Sequence, residues 1–167
     1  MLLQLETSRK EVLSTIENLS DKMINVNISE TTWSIGQVLD HLNKTEIKIT
    51  NSIHQLISQS EQETITDKPL TKTLDRSIKI LASAAITPST QEFTKQEVVS
   101  ALLHSRQQLL RLIDTIPPEL DLKKRGFKHP VFGVLSLKQW IEFIGYHEKR
   151  HAAQITEIKE TIMTNHL

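Results

Sequence analysis

Residues 136–162 read SLKQWIEFIGYHEKRHAAQITEIKETI, and this stretch decides the fold. Its apolar residues recur at intervals of three and four, which is the period of a helix with one buried face. The inner stripe consists of Trp140, Ile144, His147, His151, Ile155, Ile158 and Ile162. Two histidines therefore occupy places where the spacing calls for apolar side chains, on a helix that must pack against others.

Two helix starts share the same local chemistry. Ser136 and Gln139 form an S-x-x-Q capping box, with Leu135 and Trp140 as a hydrophobic staple across it. Residues 34–37 form a second such box, and Trp33 can pack on Val38 in the same way. This second box predicts a helix over about residues 35–60, whose stripe is Ile35, Val38, Leu42, Ile49, Ile53 and Leu56.

Two further helices complete the pattern. One is predicted over about residues 3–19, with Leu5, Val12, Ile16 and Leu19 on one face. The other covers about residues 94–116 and stops at Pro117-Pro118, with a stripe of Val98, Leu102, Leu109, Leu112 and Ile116. With only four glycines, five prolines and no alternating segments, the sequence predicts an all-α domain over residues 1–167.

The connections differ in length. Residues 61–92 are polar and contain Pro69 and Pro88, with one short amphipathic stretch through Leu74, Ile78, Leu81 and Ala85. So long a connection is unusual in a compact domain and predicts a crossover or lid. Residues 117–135 are predicted to be a loop. We therefore expect a four-helix bundle with a long crossover between the second and third main helices.

Composition excludes several functional classes. Twenty basic residues balance twenty acidic ones, so no electrostatic footprint for nucleic acid or an anionic membrane is present. The chain has no cysteine, so any metal must be bound by His, Asp or Glu. No apolar run approaches the roughly 20 residues that span a bilayer. We expect a cytoplasmic protein that acts on a small molecule.

The histidines carry the candidate chemistry. His147 and His151 lie one helical turn apart, so both rings can reach one metal ion about 2.0–2.1 Å from each nitrogen. His41 borders the stripe of the second main helix and is a third candidate. His54 and His104 fall on polar helix faces and His166 lies in the tail, so these three are expected to have no functional role.

Two segments carry a family resemblance. Residues 129–140, HPVFGVLSLKQW, followed by residues 147–155, HEKRHAAQI, closely resemble the C-terminal motif of the DinB/YfiT-like family. Residues 33–42, WSIGQVLDHL, resemble its N-terminal motif. The two motifs occur in the right order at the two ends of the domain, so the resemblance covers nearly the whole chain.

The resemblance implies a four-helix bundle, often dimeric, that holds a divalent metal on His41, His147 and His151. It also implies metal-dependent hydrolysis, or transfer of a low-molecular-weight thiol such as bacillithiol to an electrophile. A homodimer is expected from the resemblance and, more weakly, from the apolar Leu103 and Leu110 beside the third helical stripe. His129, in the family-like loop, is a candidate for contact with substrate, and an exposed loop histidine is the alternative.

Three imidazoles leave at least one coordination position open, which is typical of catalytic sites. On zinc, a water in that position reaches a pKa of about 7, and a thiol would be held as thiolate. Zinc or nickel is expected, with iron or manganese as alternatives. The residues do not separate these metals, because affinity order and cellular supply both decide the occupant.

Two other hypotheses compete with this one. His147-Glu148-x-x-His151 matches the H-E-x-x-H signature of metalloproteases, with Glu148 as general base. That hypothesis is weaker. Metalloproteases that resemble this motif take their third ligand downstream, where this sequence offers Glu157, Glu160 and His166. The second alternative is a non-catalytic binding module that contains a metal, since a fold supports many functions.

Overall fold

The computed structural model describes residues 1–165 and consists mainly of four long helices. The elements in chain order are α1 (Leu2–Ile16), α2 (Asp21–Ile24), α3 (Ile35–Leu56), α4 (Lys95–Thr115), β1 (Gly126–His129), β2 (Gly133–Ser136) and α5 (Leu137–Asn165). Short 3-10 turns lie at Leu70–Leu74, Ala84–Ile86 and Leu122–Lys124. Within the described residues no helix is long and apolar enough to cross a membrane. The predicted all-α, four-helix architecture is confirmed.

Two apolar clusters form the core. The upper core cluster contains Val12, Ile16, Leu19, Ile24, Ile35, Val38, Leu39, Leu42, Phe93, Val98, Leu102, Ala152, Ile155, Ile158 and Ile162. The lower core cluster contains Leu5, Ile49, Ile53, Leu70, Leu109, Leu112, Leu135, Leu137, Trp140, Ile141, Phe143 and Ile144. Each long helix contributes to both clusters, so the order in which it meets them gives its direction.

Helices α1 and α5 run from the lower to the upper cluster, whereas α3 and α4 run from the upper to the lower one. The consecutive helices α3 and α4 therefore point the same way. The chain must return along the whole bundle between them, and this explains the long crossover. Leu70 packs in the lower cluster and Phe93 in the upper one, which marks the path of that return.

A charged layer separates the two clusters, and each long helix contributes one of its residues: Arg9, Glu46, Arg106 and Glu148. Arg9 contacts Glu148 at 2.6 Å and Glu46 at 2.7 Å, and Arg106 contacts the same two carboxylates at 2.8 Å and 2.6 Å. All four side chains are at most 9% exposed. Two positive and two negative charges thus cancel inside the bundle, and each is bonded to both opposite charges.

Several predicted boundaries were wrong. The first helix ends at Ile16 instead of residue 19, although Leu19 remains in the core, and α3 ends at Leu56 instead of residue 60. The amphipathic stretch of the crossover is not a helix. Its apolar residues Leu74, Ile78 and Leu81 are 42%, 61% and 96% exposed, because the crossover packs on α5 through Leu70 and Thr73 instead.

The segment before α5 is also different from the prediction. Instead of a plain loop, residues 126–136 form an antiparallel hairpin in which Gly126 pairs with Ser136 and His129 with Gly133. Gly133 has φ +75°, a conformation that favours glycine. The capping box at Ser136 is half made: Ser136 accepts from the Gln139 backbone, but the Gln139 side chain bonds to the backbone of Lys68 in the crossover.

Candidate metal centre

Helices α3 and α5 bring the three candidate histidines together. The capping box at Ser34 is complete, since Gln37 N–H donates to Ser34 Oγ at 3.2 Å and Ser34 N–H donates to Gln37 Oε1 at 3.0 Å. His41 follows on the second turn of α3. His147 and His151 face it from α5, which runs in the opposite direction. The sequence hypothesis that these three side chains meet agrees with the structure.

The distances within this histidine cluster match a metal site. The Nε2 atom of His147 lies 3.3 Å from Nε2 of His41 and 3.1 Å from Nε2 of His151. One ligand atom from each ring lies within 4.8 Å of the other two. A tetrahedral ion with nitrogens at about 2.0–2.1 Å would place those nitrogens roughly 3.3 Å apart. The cluster therefore has the size that such an ion requires.

Hydrogen bonds on the far side of two rings fix which nitrogen faces the cluster. His41 Nδ1 donates to the carbonyl oxygen of Ile86 at 2.7 Å, and His151 Nδ1 donates to Gln154 Oε1 at 2.7 Å. The Nε2 atom of each of these two rings is then unprotonated, and its lone pair points into the cluster. His147 can offer at most one Nε2 proton to its two neighbours, so a shared cation satisfies the three nitrogens better than hydrogen bonds do.

Burial keeps the cluster neutral. It lowers the pKa of His41, lowers that of His151 to about 3 and lowers that of His147 well below its usual value. For His147 and His151, repulsion from a neighbouring ring that takes up a proton lowers the pKa further. Imidazole binds metals in its neutral form. The three ligands are thus ready to bind an ion at neutral pH without losing a proton first.

These pKa values predict how the metal-free protein responds to acid. Below the reference pKa of about 6.5 the unfolded chain binds protons that the folded cluster excludes, so the free energy of unfolding should fall as the pH decreases. The loss is up to about 1.4 kcal/mol per pH unit for each such histidine. Urea unfolding of the dialysed protein at pH 7 and pH 5 measures it, and His151→Phe should show a smaller loss. Equal stability of wild type at both values would contradict the prediction.

His129 lies close to the cluster but outside it. It is 6% exposed at the end of β1, so the alternative of an exposed loop histidine is wrong. Its Nδ1 accepts from the N–H groups of Val131 and Phe132, and burial lowers its pKa to about 4. Its ring centroid is 4.7 Å from that of Phe143, which in turn lies 5.3 Å from His147. One aromatic ring therefore separates His129 from the nearest candidate ligand, and contact with substrate stays a prediction.

The two tryptophans also differ from simple helix staples. Trp33 packs beside the upper core cluster, as a staple would, but its ring also lies 5.0 Å from that of His41 and so flanks the candidate site. Trp140 stacks on Phe127 at 4.1 Å and donates its Nε1 proton to the Phe127 carbonyl oxygen at 3.1 Å. Trp140 thus ties α5 to the hairpin.

Glu148 does not face the histidine cluster. Both of its oxygens are occupied in the charged layer, by Arg9 and Arg106, and Ser8 donates to one of them at 2.6 Å. Glu157 pairs with Arg76 and Glu160 is exposed, so neither joins the cluster, and His166 lies outside the described residues. This geometry argues against Glu148 as a general base and against the metalloprotease hypothesis. His54 and His104 are exposed, as expected.

Comparison with known proteins places the chain in a family. The model of the DinB superfamily matches residues 4–155. The uncharacterized protein YuaE of Bacillus subtilis (strain 168) is 36% identical over 155 residues, which cover 93% of this chain and 94% of YuaE.

Two solved structures share the fold. TT2238, described as a four-helix bundle protein, has 20% identity and a TM-score of 0.62 and covers 93% of this chain and 95% of its own. YfiT from Bacillus subtilis is described as a probable metal-dependent hydrolase with an unusual four-helix bundle topology; it has 18% identity and a TM-score of 0.62, over 96% of this chain and 85% of YfiT. With the family model matching most of the chain and YuaE matching along nearly its whole length, the chain belongs to the DinB superfamily.

Proposed function

We propose that the protein is a metal-dependent enzyme in which His41, His147 and His151 hold one divalent ion and a small substrate reacts beside it. The observation that carries this proposal is the convergence of three neutral ring nitrogens at spacings that fit a tetrahedral ion. Three protein ligands leave a position open, which structural zinc sites do not.

The charge of the site favours reactions with anionic nucleophiles. None of the described carboxylates belongs to the cluster. Glu148, next to His147 in the chain, is neutralised by two arginines, and Asp40, next to His41, pairs with Lys44 at 2.8 Å. A divalent ion would keep its full charge there, and when bound it would act as a Lewis acid that lowers the pKa of a coordinated water or thiol. Hydrolysis of a small ester or amide is the first candidate, in line with the description of YfiT.

Transfer of a low-molecular-weight thiol to an electrophile is the second candidate, because an uncompensated divalent charge also favours a thiolate. A panel of esters, amides and electrophiles, each tried with and without such thiols, separates the two reactions. Zinc- and nickel-loaded wild type should turn over members of one set, and His151→Ala should not. A fully loaded protein that is inactive on both sets but binds a small ligand would favour the binding-module alternative.

Removing the metal should weaken the fold without unfolding it. The two core clusters, the complete capping boxes of α3 and α4 and the charged layer do not depend on an ion. Binding to the folded state alone adds about 2.7 kcal/mol of stability at a 100-fold excess over the dissociation constant. Circular dichroism should show the same helical signal before and after chelation, with a lower melting temperature afterwards. Loss of the helices on chelation would indicate a structural metal.

A further inference from the structure

We infer that residues 73–89 of the crossover form a strap over the histidine cluster, and that Arg150 is a positioning residue that holds this strap and, through it, His41. The inference rests on the proposed function, because it concerns how the same site binds its ion. It adds a coupling between metal binding and closure of the strap.

The first part of the strap is fixed to α5. The Arg150 guanidinium donates to the carbonyl oxygens of Thr73 at 2.9 Å and Ile78 at 2.7 Å, and also to that of Asp75. Arg76 adds an ion pair with Glu157, farther along the same helix. Arg150 directly precedes His151, so the strap is anchored beside one of the candidate ligands.

The second part of the strap is fixed to α3. Lys44 Nζ donates to the Thr87 carbonyl oxygen at 3.1 Å, and Ser89 N–H donates to Asp40 Oδ2 at 2.7 Å. Lys48 Nζ reaches Ser83 Oγ at 3.4 Å. These bonds lie on both sides of Ile86, whose carbonyl oxygen accepts the Nδ1 proton of His41. The strap therefore supplies the bond that turns the His41 lone pair toward the cluster.

The path between the two anchors runs from α5 to α3. Ile78 is bonded to α5 and Ser83 to α3, which leaves residues 79–82 to pass from one helix to the other. Five steps of about 3.5 Å are sufficient for the roughly 8–10 Å between packed helices. The three histidines meet between these same helices, and the anchors lie beside them, at Arg150 next to His151 and at Ile86 on His41. On this ground we place residues 79–82 over the cluster.

The middle of the strap, residues 78–81, is exposed, in contrast to Thr73 and Pro88 near its ends. Ile78, Ile80 and Leu81 are 61%, 52% and 96% exposed, so closing this part of the strap removes little apolar surface from water. Segments with few buried contacts open more readily than the core does. A strap of this kind can open to admit a substrate or an ion, and its closure depends on the few side chains that bind it.

Linkage makes the coupling reciprocal. If a closed strap improves metal binding by some factor, a bound metal must favour the closed strap by the same factor. Loss of a hydrogen bond that orients a metal-binding histidine typically lowers metal affinity 10- to 100-fold. We expect a loss in this range when the strap is released.

Arg150→Lys is the decisive variant, because it keeps the positive charge but a lysine cannot donate to three carbonyl oxygens through a planar fork. Zinc affinity, measured by competition with a chromophoric chelator, should fall 10- to 100-fold. Arg150→Ala removes a positive charge beside the ion, so electrostatics alone would tighten binding, whereas release of the strap weakens it. Arg111→Ala, at an exposed position of α4, is the matched control and should bind zinc like wild type.

Two other measurements do not depend on activity. Nitrogen-15 NMR of the metal-free wild type should show His41 protonated on Nδ1, and Arg150→Lys should show a mixture of tautomers. In wild type, trypsin should cleave after the exposed Lys79 more slowly with zinc than with a chelator. In Arg150→Lys, this protection by zinc should be smaller.

The outcomes separate the two proposals. Zinc affinity within twofold of wild type in both Arg150 variants, with unchanged His41 tautomer and unchanged cleavage at Lys79, would overturn the strap inference and leave the metal site intact. A wild type that binds no divalent ion would overturn the proposed function.

Discussion

Replacing His147 by Ala is expected to lower the affinity for zinc or nickel by more than about 100-fold, beyond the 10- to 100-fold typical of supporting hydrogen bonds. His147 should show the largest effect of the three candidate ligands, because its Nε2 lies within 3.3 Å of the Nε2 atoms of both other rings. Elemental analysis after dialysis should find about one ion per chain in wild type and almost none in the variant.

His41→Ala and His151→Ala should also lose the ion. His54→Ala and His104→Ala are matched controls, since these rings are exposed on α3 and α4, and both variants should keep full occupancy. Full occupancy in all three cluster variants would show that the ligand assignment is wrong.

Glu148→Gln is expected to destabilise the protein by about 3 kcal/mol or more, since removing one partner of a buried ion pair typically costs 3–5 kcal/mol. The substitution would leave Arg9 and Arg106 with Glu46 as their shared buried carboxylate partner. Urea unfolding measures this loss. Metal stoichiometry should stay at about one ion per chain, because Glu148 faces the charged layer and not the cluster.

Glu142→Gln is the control on the same helix. Its carboxylate is 3.8 Å from Lys138 at a partly exposed position, so the substitution should cost less than about 1 kcal/mol. A Glu148→Gln variant that kept its stability and its metal but lost turnover would contradict our account and restore Glu148 as a general base.

The candidate ligands could be predicted from the sequence to different degrees. His147 and His151 stood out because they occupy stripe positions of an amphipathic helix at ligand spacing. His41 only bordered its stripe, so the family motif was needed to add it. The bond that orients His41 could not be predicted, because the Ile86 carbonyl belongs to a short 3-10 turn in a segment with no periodic signal.

Sequence reasoning missed the charged layer, although a signal for it exists. Arg9 falls between Leu5 and Val12 on the α1 stripe, and Glu46 falls between Leu42 and Ile49 on α3. Arg106 falls between Leu102 and Leu109 on α4 in the same way, whereas Glu148 lies beside the α5 stripe, next to His147. Charged helical residues are usually solvent-exposed, so each one alone is uninformative. Four of them, one per helix with balanced charge, indicate a buried network.

The sequence pattern predicted the crossover but not its internal structure, and it did not predict the hairpin. Strands β1 and β2 have four residues each, too few for a reliable alternation. The stretch from Leu74 to Ala85 has helical spacing, but its apolar residues meet no core surface because Arg150 binds its backbone carbonyls instead. Local periodicity there was overridden by contacts with a helix far along the chain.

X-ray absorption at the zinc edge of the loaded wild-type protein tests the central claim most directly. Our account predicts three imidazole nitrogens at about 2.0–2.1 Å and one or more further light-atom ligands that exchange with added small anions or thiols. A shell of four protein ligands that exchanges with nothing, or a shell without imidazole, would contradict it.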